Sequence, residues 1–297
     1  MKKKQIVATP IAAKPMTEFH DLSEKILNTG DQYWGNLGYW QPDDDYSTAC
    51  KGLANQLAVA ASLNTNSRVL DVGFGCGDQL LLWLDEYHIE SLCGINYSFS
   101  QTTVAQQRLV INGYLEAADN IHCADVGKLL ALPQLKAANL NQINTVLALD
   151  CAYHFPSREQ FVRDSFTLLK ESNNSQPKRI VLTDIVLAKD FNQLSGLKKA
   201  LLKGMLWLSR IPQNNIVTEK NSIKKLYDIG FKQVNSEDIS ESVFLPFGVW
   251  LASEENRIKA AASTRSIWLK YKVTTTFLAW AYRKNVLRYV VLTAKLE

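Results

Sequence analysis

Three glycines at alternate positions, Gly73, Gly75 and Gly77, mark the segment of the sequence with the clearest chemical potential. They follow a short apolar run that contains Asp71 and precede a leucine-rich stretch that begins at Leu80. This order predicts a strand, a tight turn and a helix. Glycine allows positive φ and lets a ligand approach main-chain N–H groups without meeting a Cβ. The turn is therefore a candidate site for a nucleotide-like ligand, with a plain structural bend as the alternative.

The spacing of these glycines differs from the dinucleotide-binding fingerprint. That fingerprint requires its third glycine at the position where this chain has Asp78. A nicotinamide-dependent oxidoreductase on a similar sheet is therefore the less favoured interpretation.

Polar residues follow each of the next apolar runs, which are predicted strands. In an open α/β sheet, ligands bind beyond the carboxyl ends of the strands, so these residues are expected to converge. The candidates are Asn96, Tyr97 and Gln101 after the second strand, Asp125 and Val126 after the third, Asp150 and His154 after the fourth, and Asp184 at the end of the fifth.

These strand ends, taken in order, resemble the motifs of class I S-adenosylmethionine-dependent methyltransferases. The glycine turn is similar to motif I, and residues 149–156 are similar to the motif in which a small-residue turn leads into His-Phe. The Ser-x-x-Gln pattern of Ser98 and Gln101 resembles the one in the branch that contains tocopherol methyltransferases, cyclopropane synthases and natural-product O-methyltransferases. The resemblance covers residues 33 to 185 well. It implies S-adenosyl-L-methionine as the cofactor and a small molecule as the methyl acceptor.

The resemblance also implies which residues hold the cofactor. They are Tyr33, Trp34, Asp71, Gly73, Gly75, Gly77, Asn96, Tyr97, Gln101, Asp125, Val126 and Asp150. At Asn96 most relatives carry an acid that binds both ribose hydroxyls, and an amide loses that bidentate, charge-assisted contact. Asp125 is equally consistent with an N-cap of the helix that follows it, and this alternative stays open.

Two residues are candidates for proton transfer. His154 stands at a strand end, and an imidazole with an ordinary pKa of about 6.5 suits a general base at neutral pH. The resemblance to sugar O-methyltransferases implies that Asp184 orients this ring and stabilises its charged form. The structural alternative for His154 is a helix-start residue bonded to the backbone. His20, His88 and His122 are interpreted as structural.

Composition limits the possible partners. A net charge of +4, from 33 basic and 29 acidic residues among 297, is too small to indicate a nucleic-acid-binding protein. The cysteines contain no C-x-x-C pair, which argues against a metal site and a disulfide framework. No apolar run reaches the roughly 18 residues of a membrane span. We therefore expect a cytoplasmic protein.

Apolar runs and helical stretches alternate from Arg68 onward, which predicts an α/β fold: a Rossmann-like, mostly parallel seven-stranded sheet with helices on both faces and an inserted helical lid. Strands are expected near 68–73, 91–96, 119–123, 143–149, 179–184, 231–238 and 287–295. The expected organisation is one domain over 1–297, with a tail and aromatic lid loop (1–45), a cofactor-binding core (46–187), the lid helix (188–217), and C-terminal strands with an aromatic substrate wall (218–297).

Three segments lie outside the minimal sheet. Residues 196–211 read as a basic amphipathic helix, either a lid over the active-site mouth or a contact with a membrane surface or apolar partner. Its two faces carry Lys199, Lys203 and Arg210 on one side and Leu197, Leu201, Met205, Leu208 and Ile211 on the other. The aromatic loop 33–40 is a binding surface or a hydrophobic plug. The aromatic-rich residues 240–281 are expected to complete an apolar wall.

The sequence thus predicts transfer of a methyl group to an oxygen or nitrogen of a small, partly hydrophobic metabolite, in specialised metabolism. Alternatives are carbon methylation of a lipid-like or polyketide-like acceptor and a non-catalytic module that binds the cofactor or a partner. In methyl transfer from a sulfonium, alignment of the reacting groups can supply about 7–11 kcal/mol, and base catalysis is secondary. The oligomeric state is not indicated.

Overall fold

The computed structural model describes residues 22–132, 142–261 and 265–297. Residues 1–21 of the predicted N-terminal tail, which include His20, lie outside them. The strands of the described chain are β1 (Arg68–Val72), β2 (Ser91–Asn96), β3 (Ile121–Cys123), β4 (Thr145–Ala148), β5 (Arg179–Leu187), β6 (Gln233–Asp238) and β7 (Leu287–Lys295). They form one seven-stranded sheet in the order β3-β2-β1-β4-β5-β7-β6. The predicted sheet is confirmed.

Strands β1 to β5 pair in parallel, whereas β7 runs antiparallel to both β5 and β6. The carboxyl ends of the five parallel strands therefore meet at one edge of the sheet. The central strands are buried almost throughout, as near-continuous apolar runs predict for a sheet covered on both faces. Strand β6, at one edge of the sheet, is mostly exposed.

Helices cover both faces, as predicted. They are α1 (Tyr46–Ala61), α2 (Asp78–Asp85), α3 (Phe99–Ile111), α4 (Leu115–Asp119), α5 (Arg158–Glu171), α6 (Gly196–Leu208), α7 (Glu219–Ile229), α8 (Ser240–Phe244), α9 (Pro246–Ser253), α10 (Glu255–Ala261) and α11 (Arg265–Arg283). Successive residues of a strand point to opposite faces, and the core divides accordingly. Val181 of β5 belongs to the apolar cluster that contains Leu53 of α1, and Leu182 belongs to the one that contains Phe161 of α5.

The aromatic-rich segment 240–281 supports the N-terminal loop. Phe247 and Trp250 pack against Trp40, with ring centroids 5.6 and 5.5 Å apart. Both also stack on Tyr46, at the start of α1. At Trp40 the loop therefore packs as a hydrophobic plug, which is one of the two roles predicted for it.

Helix α6 packs only in part by the apolar face that the sequence predicts. Leu202 and Leu206 are buried, whereas Leu197, Leu201 and Leu208 of the predicted apolar face are exposed. Met205 and Ile211, also of that face, are half-buried. Both sides of the helix carry leucines, so the pattern alone could not select the packed side. In the described ranges, no helix combines the length and apolar character needed to cross a bilayer.

Candidate active site

The glycine turn (residues 73–77) joins β1 to α2 through three glycines at φ values of 81°, 57° and 88°. A Cβ on Gly73 would lie 2.6 Å from Cys151 Sγ, and one on Gly77 would lie 2.9 Å from Ala105 Cβ. A Cβ on Gly75 would meet no atom within 4 Å. Packing therefore requires glycine at 73 and 77, whereas at 75 the space above the backbone is open.

The turn borders a cavity of about 420 Å³ at the carboxyl ends of the parallel strands. This volume is in the range of small-molecule sites, about 300–1,000 Å³. The sequence-predicted residues that line it are Tyr33, Trp34, Gly73, Gly75, Asn96, Tyr97, Gln101, Asp125, Val126, Asp150 and His154. The structure therefore brings most of the predicted candidates together. Asp71, Gly77 and Asp184 are not among the lining residues.

Asp71 lies behind the turn. Its fully buried carboxylate accepts hydrogen bonds from Gln79 Nε2 at 2.8 and 3.0 Å and from Trp83 Nε1 at 2.6 Å. Burial raises its pKa to about 6, while the bonds from Trp83 and Gln79 oppose that rise. Gln79 lines the cavity, so Asp71 is connected to the site through its hydrogen bonds to Gln79. Asp71 itself does not line the cavity, which differs from the direct cofactor contact that was predicted.

Gly77 also has a structural position. It is the N-cap of α2 and packs against Ala105 of α3. Its contribution is to bring the two helices close together below the cavity.

Asn96 and Gln101 form an amide pair on the cavity wall. Both are buried, and Asn96 Nδ2 donates to Gln101 Oε1 at 3.2 Å and to the Ser98 carbonyl at 3.4 Å. These bonds use the donor group of Asn96 and the acceptor of Gln101. Asn96 Oδ1 and Gln101 Nε2 remain as one acceptor and one donor. Such a pair can bind two neighbouring hydroxyl groups without a charge.

Asp125 carries out one of its two predicted roles with a single oxygen. Its Oδ1 accepts the N–H of Gly127 at 2.9 Å and caps the short 3₁₀ helix Val126–Ala131. The residue also lines the cavity beside Val126. Because the cap uses Oδ1, Oδ2 can still accept a hydrogen bond from a ligand.

Asp78, at the start of α2, binds Tyr33 of the N-terminal loop and Arg108 of α3. Its carboxylate accepts the Tyr33 N–H at 3.2 and 3.3 Å and two nitrogens of Arg108 at 2.7 Å each. Tyr33 begins the strap, the loop of residues 33–40. The sequence suggested only that Asp78 breaks the dinucleotide fingerprint. The sequence did show that Asp78 stands at the start of a predicted helix, where a carboxylate is favoured, but not that it binds Tyr33 and Arg108.

Asp150 fastens the strap to the end of β4. Its Oδ2 accepts the Leu37 N–H at 2.7 Å, and its Oδ1 accepts the hydroxyls of Tyr153 at 2.7 Å and Tyr289 at 2.5 Å. Its own N–H donates to Thr183 Oγ1 at 2.8 Å. Burial, and next the charge of Asp150, raise the pKa of both phenols well above the ordinary value, so both remain protonated donors. Tyr289 was not predicted from the sequence.

His154 ends the 3₁₀ turn Ala152–His154 that follows β4. Its N–H donates to the Cys151 carbonyl at 2.9 Å, and its half-buried side chain lines the cavity. The ring lies against Tyr153, with centroids 4.5 Å apart. His154 is therefore placed where a ligand in the cavity could reach an imidazole.

Asp184 does not pair with His154 as predicted. Its fully buried carboxylate forms an ion pair with Arg158 and accepts the N–H of Ile185 at 2.9 Å. Burial raises the pKa of this carboxyl group, and the Arg158 charge opposes the rise. Alternation along β5 explains the difference: Thr183 faces the Asp150 side of the sheet, so Asp184 points to the opposite face.

The chain resembles a curated protein in sequence and several solved structures in fold. No family model matches the chain. It is 26% identical over 251 residues to erythromycin 3''-O-methyltransferase of Saccharopolyspora erythraea, covering 81% of this chain and 76% of that protein. Among solved structures, the cyclopropane synthase MmaA2 of Mycobacterium tuberculosis aligns with a TM-score of 0.69, at 13% identity over 93% and 94% of the two chains. A mycolic acid cyclopropane synthase in complex with SAH aligns with a TM-score of 0.70, at 14% identity over 92% and 93%.

Proposed function

We propose that this chain, a class I S-adenosylmethionine-dependent methyltransferase, transfers a methyl group to a hydroxyl oxygen of a small, partly hydrophobic metabolite. The observation that carries the proposal is one cavity bordered both by the glycine turn and by His154. An oxygen acceptor is favoured because the similar curated protein is named for O-methylation. A hydroxyl is also the acceptor that gains most from a nearby base.

The residues on the cavity wall fit S-adenosylmethionine. The open space above Gly75 admits the cofactor to the backbone of the turn. Asn96 Oδ1 and Gln101 Nε2 would bind the two ribose hydroxyls, and Asp125 Oδ2 would accept from the adenine amino group while Val126 packs on the ring. When bound, the cofactor supplies a methyl group already activated by a positive sulfur.

His154 would accept the proton from the acceptor hydroxyl, at its imidazole. Asp184 is paired with Arg158, so in this proposal it does not orient the His154 ring. The strap and the glycine turn, which line the same cavity, would position the acceptor and the cofactor relative to each other. Such positioning can lower a barrier by about 7–11 kcal/mol.

A reducing, cytoplasmic setting is part of the proposal. The five cysteines, all among the described residues, lie outside disulfides, and four of them are buried or half-buried. Cysteines kept as thiols suit a reducing compartment.

The test has a binding step and a turnover step. Calorimetry with S-adenosylhomocysteine asks whether the cavity binds the cofactor's product. Turnover is followed as S-adenosylhomocysteine release with S-adenosylmethionine and a panel of hydroxylated and aminated small molecules. No heat of binding at millimolar ligand would overturn the cofactor assignment. Methylation of the amines alone would overturn the oxygen acceptor.

The base is tested with His154→Ala against His88→Asn, an exposed histidine at a positive φ that asparagine tolerates. We expect His154→Ala to lower kcat by roughly 10²–10⁴-fold with S-adenosylhomocysteine affinity nearly unchanged. His88→Asn is expected to retain wild-type turnover. Wild-type turnover in His154→Ala would make the histidine a packing residue.

A further inference from the structure

Helix α6 exposes a row of large apolar side chains. Trp207 is 81% exposed, Leu197 70%, Leu208 52% and Leu201 43%. We call these four residues the stripe. The helix is held to the protein by its other side, through buried Leu202 and Leu206. The stripe is therefore not the packing face of α6.

The spacing of the stripe makes it a continuous surface. Leu197, Leu201 and Leu208 recur at i, i+4 and i+11, which places them on one face of a helix. Trp207 lies about 100° further round the helix and is also exposed, so it borders that face. Isolated exposed apolar residues are common, whereas a row of four on one helix indicates a contact with something apolar.

The charge around the stripe indicates what that contact is. Residues 191–218 contain Lys198, Lys199, Lys203 and Arg210 and no aspartate or glutamate. Lys199 and Lys203 lie near the ring of Phe191, on the flank of the helix. A second copy of this chain would bring two such basic segments together, which like charges disfavour. An exposed tryptophan and leucines with flanking lysines fit the boundary of an anionic bilayer.

The stripe ends close to the cavity. Arg210 lies three residues after Trp207, has a φ of 52°, and lines the cavity. The end of α6 therefore connects the exposed surface to the mouth of the site.

We propose that the stripe of α6 seats this protein on the surface of anionic lipid membranes, by insertion of Trp207 and its leucine neighbours between headgroups. If the proposed function holds, the methyl acceptor then enters the cavity from the lipid phase beside Arg210. Only that second statement rests on the proposed function. Membrane binding requires neither cofactor nor acceptor.

The experiment is co-sedimentation of the full chain with vesicles of phosphatidylcholine and of a phosphatidylcholine–phosphatidylserine mixture, without cofactor. We expect binding to the anionic vesicles and at least about tenfold weaker binding for Trp207→Ser with Leu208→Ser. Lys199→Glu with Lys203→Glu is expected to abolish the preference for anionic vesicles. Ile111→Ser is the matched control, because Ile111 is also 81% exposed but lies on α3. It should bind like the wild type.

Three results would overturn the proposal. They are no sedimentation of the wild type with either vesicle, an equal loss of binding in Ile111→Ser, and a wild-type dimer that Trp207→Ser converts to monomer without any vesicle binding. Calorimetry with S-adenosylhomocysteine on the same variants separates the two proposals. Vesicle binding without nucleoside binding would contradict only the proposed function, and unaltered nucleoside affinity in the stripe variants would show that they are folded.

Discussion

Tyr289 donates its hydroxyl to Asp150 Oδ1 at 2.5 Å, which joins β7 to the loop after β4. The other oxygen of the same carboxylate holds the Leu37 N–H of the strap. One half-buried acid thus connects the late antiparallel strand, the end of a parallel strand and the loop that borders the cavity. Its contacts suggest that strap position and ligand binding depend on a single side chain.

Asp150→Asn should weaken both the fold and ligand binding. The amide replaces one acceptor oxygen by a donor that faces Leu37 N–H or the two phenols, so at least one of these part-buried hydrogen bonds is lost. We expect a stability loss of about 1–3 kcal/mol in denaturant unfolding. We also expect roughly tenfold weaker S-adenosylhomocysteine binding, equivalent to about 1.4 kcal/mol. Tyr289→Phe removes the hydroxyl that contacts both Asp150 Oδ1 and Thr183 Oγ1, and should cost about 0.5–1.5 kcal/mol for each hydrogen bond lost. Unchanged S-adenosylhomocysteine affinity in Asp150→Asn would show that ligand binding does not depend on the hydrogen bond between Asp150 and the strap.

Substitutions in the glycine turn should separate packing from binding. Gly77→Ala places a Cβ 2.9 Å from Ala105 and is expected to destabilise the fold. Gly75→Ala meets no protein atom within 4 Å, so its cost is that of positive φ, about 1 kcal/mol. The new methyl group nevertheless occupies the ligand's approach to the backbone, and we expect S-adenosylhomocysteine affinity to fall by at least about tenfold. The checks are chemical unfolding and calorimetry, and normal affinity in Gly75→Ala would contradict this placement of the ligand.

Asp71 predicts a pH dependence of stability. Its pKa rises from 3.8 to about 6 on folding, so the folded chain binds this proton more tightly than the unfolded chain. The contribution of Asp71 to the unfolding free energy therefore decreases as pH rises from about 4 to about 6, by roughly 3 kcal/mol in total. Asp71→Asn should remove this part of the slope. The measurement is the unfolding free energy of the wild type and of Asp71→Asn as a function of pH across that window. If the two curves are parallel, Asp71 does not contribute the predicted pH dependence.

The amide pair should behave as one unit. Gln101→Ala removes the remaining donor and also the acceptor that orients Asn96, so each single alanine variant should lose most of the pair's contribution. We expect about tenfold weaker S-adenosylhomocysteine binding for Asn96→Ala, for Gln101→Ala and for the double variant. Gln106→Ala is the control, because Gln106 lies on the same helix and bonds the Ile121 carbonyl instead. If the losses of binding free energy in the two single variants add up in the double variant, Asn96 and Gln101 contact the ligand independently.

Much of the fold followed from local pattern. Apolar runs separated by helical stretches located the strands, and the glycines at 73–77 located the first turn. Convergence of Asn96, Asp125 and His154 then followed from the parallel arrangement, since carboxyl ends share one edge.

The errors arose where local pattern carries no information. In β5, residues on both faces are buried, so nothing in the sequence showed that Thr183 rather than Asp184 faces Asp150. Leucines on both sides of α6 likewise left its packed face undecided. Tyr289 lies 139 positions from Asp150, a pairing that only the completed sheet establishes.

The position of β7 between β5 and β6 has a consequence for synthesis. Of the strands in the described chain, β7 is the last to leave the ribosome, yet it supplies an interior strand of the sheet and the Tyr289 hydroxyl that Asp150 accepts. Until then β5 has an open edge, and the strap lacks part of its anchor. A nascent chain that stops short of residue 289 should therefore be more exposed to strand-edge aggregation and should depend on chaperones that shield such edges.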